Sequence, residues 1–167
     1  GDVYKRQDDV LGSLSSEASK KNWYVKILSG DKDLFQLVDS KKDIYVLYMG
    51  SGGPFAKSSA PILMDEEAVL KKMGVGPKKV IDLKALMGDP SDNITGVKGI
   101  GSKTAINLLN ENKNLEDIYE TLDKVINDEE TKYEGVIKGA VLKKLKESKE
   151  VIEIPNKIIN LMHILNN

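Results

Sequence analysis

The chain has no cysteine and a single histidine, His163, in 167 residues. Together these scarcities exclude disulfide frameworks, thiolate zinc sites, cysteine nucleophiles and histidine-rich metal centres, so any metal must be held by oxygen. An excess of one charge is lacking too: 25 Lys and Arg stand against 26 Asp and Glu, a net charge of −1. This balance argues against a protein that holds nucleic acid by bulk positive charge and leaves only local basic patches for that purpose. No apolar run approaches the roughly 20 residues of a membrane span, and the first residues show no charged-then-apolar leader pattern; the expected compartment is the cytoplasm. What is present, 40% hydrophobic and 31% charged residues, suits an ordinary folded domain. At this length folding hides roughly 70% of the unfolded surface, enough for a core without crosslinks.

Residues Gly1 to Gln7 have no apolar period and are expected to be foreign, in a chain that lacks its true N-terminal part. Val10, Leu11, Leu14 and Ala18 then share one helical face behind Asp8 and Asp9, whose charge suits a first turn. That helix is expected to reach about Lys21. Trp23 to Leu28 reads as a buried strand broken by Ser29-Gly30-Asp31, with a second helix from Asp33 through Val38 and another strand at Ile44 to Tyr48. Beyond the loop of Gly50, Gly52, Gly53 and Pro54, Pro61 to Met64 is expected to return as a short edge strand. Asp65 should cap a helix that GVGP at Gly74 to Pro77 ends, and Val80, Ile81, Leu83, Leu86 and Met87 keep helical spacing. Ser102 is expected to cap a helix carrying Ala105, Ile106, Leu108 and Leu109; from Leu115 the pattern is helical and Lys/Glu-rich, with a break at Pro155. The predicted organisation is a small α/β layer over 8–64 followed by an all-helical part over 65–167.

Three pairs of carboxylates stand out. Asp31 and Asp33 follow directly on a buried strand, where open α/β sheets bind ligands outside the strand ends, although a plain turn with an N-cap explains the spacing equally well. An EF-hand is excluded because Phe35 and Gln36 stand where that loop needs an oxygen ligand and a glycine. Asp89 and Asp92 sit three apart in a turn, and Asp8 and Asp9 form the third pair. If the pairs converge, electrostatics decides their use. Two carboxylates about 4 Å apart repel by about 4 kcal/mol at an effective dielectric of 20, or about three pKa units. Such a cluster must hold protons or cations, and hard oxygen ligands select Mg2+ or Mn2+, two of which form a clamp for phosphodiester displacement.

The most specific string is Gly96-Val97-Lys98-Gly99-Ile100-Gly101-Ser102-Lys103-Thr104-Ala105. It is not a P-loop, since Ser102 stands where that motif needs lysine, and a helix rather than a strand precedes it. Its glycines let backbone approach a ligand closely, the following helix start offers N–H groups to an anion, and Lys98 and Lys103 add charge. A capped helix after a flexible loop would need one glycine and no paired lysines.

GVKGIGSKTA resembles the helix-hairpin-helix of the 5′ nuclease family, and GDPSDN before it resembles that family's approach to the same element. SGDKDLFQLV is similar to the family's acidic strand end, and DDVLG to the close of its glutamate-x-aspartate-aspartate motif. The family includes the 5′-3′ exonuclease domain of bacterial DNA polymerase I and stand-alone homologues. The resemblance implies a partial PIN-like or Rossmann-like sheet with flanking helices, then a helical helix-hairpin-helix part, together a metal-dependent 5′-3′ exonuclease or 5′-flap endonuclease. It implies metal ligation by Asp8, Asp9, Asp31, Asp33, Asp89 and Asp92, with Asp31 and Asp33 catalytic through two Mg2+ or Mn2+ ions. Gly96, Lys98, Gly99, Gly101, Ser102, Lys103 and Thr104 would grip the phosphates of double-stranded DNA without reading bases, with K+ on the hairpin carbonyls. A polymerase domain in the same parent chain is a further expected partner. Two departures stand out: Arg6 occupies the place of the family's glutamate, and the family's N-terminal half is missing, so this chain alone is expected to be crippled.

Asp31-x-Asp33 and Gly88-Asp89-x-x-Asp92 also look like motifs of haloacid-dehalogenase-like phosphohydrolases. Leu34 departs from that family's continuation, and the run before Gly88 is helical where the phosphohydrolases have a strand. A non-catalytic helix-hairpin-helix module is the other alternative. Trp23 and His163 are expected to pack within their elements, and Lys138 to Lys149 to form a solvated helix face.

Overall fold

The computed structural model describes residues 2–50, 60–92, 94–127 and 135–150, with the backbone alone at 2–9, 92 and 150. In chain order the elements are α1 (Asp2–Lys20), β1 (Val25–Ser29), β2 (Ile44–Tyr48), β3 (Ile62–Met64), α2 (Glu66–Met73), α3 (Val80–Met87), α4 (Ser102–Glu111), α5 (Leu115–Ile126) and α6 (Gly139–Glu150). Short 3₁₀ turns lie at Asp33–Leu37, Ser40–Lys42, Pro77–Lys79 and Pro90–Asp92. The chain divides into two units, Gly1–Val80 and Ile81–Asn167. Among the described residues no helix is long and apolar enough to cross a membrane.

The first unit is built on a sheet of order β1-β2-β3, parallel between β1 and β2 and antiparallel between β2 and β3. Alternation sets its two faces. Ile27, Ile44, Val46, Tyr48 and Met64 point inward, and Phe35 meets Tyr48 edge to face at 5.2 Å. On the other face Leu28, Leu47 and Leu63 stand in register across all three strands, with Leu28 and Leu63 exposed. The expected helix over Asp33 to Val38 is a 3₁₀ turn over Asp33–Leu37. Its neighbours Leu34 and Phe35 are both buried, so successive residues rather than one helical face meet the core. Trp23 also departs from expectation: it precedes β1 and is 61% exposed. Asp65 does cap α2, its Oδ1 accepting from the Ala68 N–H at 2.8 Å, and Glu66 accepts from the Ser40 N–H at 2.6 Å, fixing α2 to the Ser40–Lys42 turn.

The second unit is helical. Asp82, buried in α3, accepts the Leu115 N–H at 3.2 Å and so joins α3 to the start of α5. Ala105, Leu108 and Leu109 of α4, Ile118 and Leu122 of α5 and Leu145 of α6 fill the core. Tyr119 and Ser148 share a hydrogen bond of 2.9 Å between α5 and α6, and Lys149 pairs with Asp123. The N-cap of α4 is Gly101, and Ser102 is the first helical residue rather than the cap. Residues 151–167, with Pro155 and His163, lie outside the described residues.

Candidate active site and nucleic-acid interface

The first acidic turn lies at the carboxyl end of β1, a strand paired in parallel with its neighbour. Ser29 Oγ accepts the Asp31 N–H at 3.0 Å, and Asp31 Oδ1 accepts the Asp33 N–H at 2.9 Å. Asp31 is exposed, and Asp33 is half-buried at the start of its 3₁₀ turn. Turn formation and ligand binding are compatible in Asp31, because a carboxylate has about four lone-pair sites and one N–H uses only one of them.

The second acidic turn is bound more tightly. Asp89 Oδ2 lies 2.6 Å from the Lys84 ammonium of α3, and both side chains are about four-fifths buried. Asp89 Oδ1 accepts the Ser91 N–H at 2.9 Å and the Ser91 hydroxyl. The hydrogen bond from Lys84, followed by those from Ser91, holds the Asp89 carboxyl down at about 2.

That turn is joined to the hairpin by main chain. Asp89 and Ile94 exchange N–H···O bonds of 2.8 and 2.9 Å, and Val97 donates to the Leu86 carbonyl at 2.9 Å. Gly88 and Gly96 cross where no side chain fits: a Cβ at Gly96 would lie 2.2 Å from the Gly88 nitrogen, and one at Gly88 would lie 2.7 Å from the Thr95 oxygen. Both have positive φ, 81° and 67°, which glycine adopts at no steric cost.

The hairpin then turns at Gly99, where Ile100 donates to the Val97 carbonyl at 3.0 Å. Lys98, Gly99, Gly101, Ser102 and Lys103 are exposed, and Thr104 is half-buried. With glycine at its N-cap, α4 makes no side-chain cap bond. Its first N–H groups therefore face outward beside Lys103, the arrangement that attracts anions.

Asp31 and Asp33 thus share one turn in the first unit, and Asp89 and Asp92 bound another in the second. Asp8 and Asp9 lie on α1, but their side chains and that of Asp92 fall outside the described residues. Among the described residues no group of three or more acidic side chains is gathered as a metal would require. Sequence reasoning missed Lys84, Ser91 and Lys144. Lys84 precedes Asp89 by five residues, a spacing no helical pattern marks, and Lys144 of α6 donates to the Gly99 carbonyl at 2.7 Å from far along the chain.

Two family descriptions match: the 5′-3′ exonuclease C-terminal SAM fold over residues 75–166 and the 5′-3′ exonuclease N-terminal resolvase-like domain over 6–74. The chain belongs to the 5′-3′ exonuclease family. DNA polymerase I of Synechocystis sp. is 49% identical over 118 residues, covering 71% of this chain and 12% of that protein. The 5′-3′ exonuclease of Buchnera aphidicola is 42% identical over 118 residues, covering 71% of this chain and 35% of that protein. The matched stretch therefore spans only a minor part of either relative. Among solved structures, the T5 5′-exonuclease with bound zinc ions shares the fold at a TM-score of 0.62 and 21% identity, covering 95% of this chain and 55% of that one. The family membership leaves the phosphohydrolase resemblance without support.

Proposed function

We propose that this chain is the C-terminal part of a 5′-3′ exonuclease and 5′-flap endonuclease domain that hydrolyses DNA phosphodiesters in replication and repair. The observation that carries the reading is the glycine crossing: the Asp89 turn and the Lys98 to Thr104 hairpin are built as one piece of main chain. Acid chemistry and phosphate holding are thereby linked at a fixed separation. The relatives named DNA polymerase I support a polymerase domain in the same parent chain, and the same reading assigns the protein to the cytoplasm.

The donor set fits hard divalent cations. Asp31 and Asp33 offer oxygen alone, which suits such ions, whereas Asp89 is already paired with the Lys84 ammonium, so a metal there must displace that lysine. Two Mg2+ or Mn2+ ions, when bound, supply an activated water and steady the leaving oxygen. Asp8, Asp9, Asp31, Asp33, Asp89 and Asp92 are assigned to hold cations. Lys98, Lys103 and the N–H groups at the start of α4 grip backbone phosphates without reading bases, and hairpin carbonyls are assigned to K+. In the sequence Arg6 stands where the family has a glutamate, and a cation there would repel a metal, so the test uses the parent domain.

That domain is expected to cut a 5′ flap only with Mg2+ or Mn2+, and Asp31→Ala to abolish cutting while largely sparing DNA affinity. Metal-independent binding without cleavage would make the domain a DNA-holding module instead. Lys103→Ala should weaken binding alike for all DNA sequences and reduce the salt slope by about one; a sequence-selective loss would count against a phosphate grip.

A further inference from the structure

The side chain of Lys144 lies across the bare face of Gly99. A Cβ on that glycine would stand 2.9 Å from Cε, 3.1 Å from Nζ and 3.4 Å from Cδ of the lysine, and the ammonium donates to the Gly99 carbonyl at 2.7 Å. Gly99 has φ 81°, so glycine is required there both for the turn and for the lysine's approach. Lys143 and Lys146 beside it on α6 are exposed, whereas Lys144 is half-buried.

The element that delivers Lys144 is firmly held. Leu145 and Ile137 are fully buried, Tyr119 and Ser148 bond α5 to α6, Lys149 pairs with Asp123, and α5 is itself anchored at its start by Asp82. The tip it reaches is weakly held by comparison. Lys98 and Gly99 are exposed, and the Ile100 N–H to Val97 carbonyl bond closes the turn over them. Glycine in that turn has the most backbone freedom to lose, so a charged donor on its carbonyl restricts it where restriction matters most.

We infer that Lys144 is a positioning residue for the hairpin: held on α6, it pins the Gly99 carbonyl and sets the turn from which Lys98 and the start of α4 meet phosphate. The inference rests on the proposed DNA-holding role of the hairpin. It predicts an effect on affinity without a phosphate contact by Lys144 itself, because acting through the turn releases no counterion.

The test uses the full chain and a 5′-flap DNA duplex, with binding followed by fluorescence anisotropy across salt concentrations and backbone hydrogen exchange followed without DNA. Lys144→Met is expected to weaken binding about fivefold with the salt slope unchanged. Lys103→Ala should weaken binding and lower the slope by about one. Exchange at Ile100 should accelerate in Lys144→Met while α4 and α5 keep their protection. A slope lowered by about one in Lys144→Met would make the lysine a direct phosphate ligand and overturn the inference. Unchanged affinity and exchange would overturn it as well, and so would exchange raised equally through α5, which would reveal a role in folding alone. If neither the unaltered chain nor Lys103→Ala binds DNA, the functional reading fails separately, and the exchange at Ile100 still decides whether Lys144 holds the turn.

Discussion

The two acidic turns begin alike, Gly30-Asp31 in the first unit and Gly88-Asp89 in the second, and each aspartate accepts the N–H two residues on. Beyond that they differ. Around Gly30 there is room, since an added Cβ would meet only the Gly50 oxygen at 3.4 Å; around Gly88 and Gly96 there is none. Asp31 is exposed, whereas Asp89 is clasped by Lys84 and Ser91. One local motif is built in two ways: an open, exposed turn at Asp31, and a braced turn at Asp89 whose position is fixed by its neighbours.

Substitution at the crossing should break the contrast most sharply. Gly96→Ala is expected to cost about 3–5 kcal/mol, since backbone must move and an L-residue must take positive φ. Gly30→Ala should stay within about 1 kcal/mol, both measured by urea denaturation. Next in size is the brace itself: Lys84→Met should cost about 1–2 kcal/mol by removing a charged donor from a largely buried carboxylate.

Acid titration sharpens the same point. Because the folded Asp89 carboxyl is held below its ordinary value of 3.8 at about 2, its contribution is fully present above about pH 4 and is lost as pH falls toward 2. Lys84→Met should flatten that part of the stability profile. The smallest effect is expected from Asp31→Asn: the amide oxygen can still accept the Asp33 N–H, so stability should change by under about 0.5 kcal/mol.

Much of this was readable beforehand because it is local. The alternation in Ile44 to Tyr48 and the cap at Asp65 follow from neighbours in the chain, and the structure has both. The glycine string at Gly96 to Gly101 reads as letting backbone approach a ligand; in the structure Gly96 meets the main chain of Gly88 and Gly99 the side chain of Lys144, while the family match agrees with the resemblance the string suggests. The 3₁₀ turn at Asp33–Leu37 was missed because Leu34, Phe35 and Val38 fit a helical face as well as they fit a tight connector between parallel strands. Ser102 looked like a cap because serine usually is one, but the chain reaches α4 with Gly101 in the extended conformation of an N-cap. Lys84 and Lys144 carried no signal at all. Each is one lysine among many, and only tertiary placement distinguishes it from a solvated one.

The meeting of Gly88 and Gly96 also works as a ruler. Main chain alone spans the interval between the Asp89 backbone and the start of the hairpin, so no rotamer change can lengthen that interval.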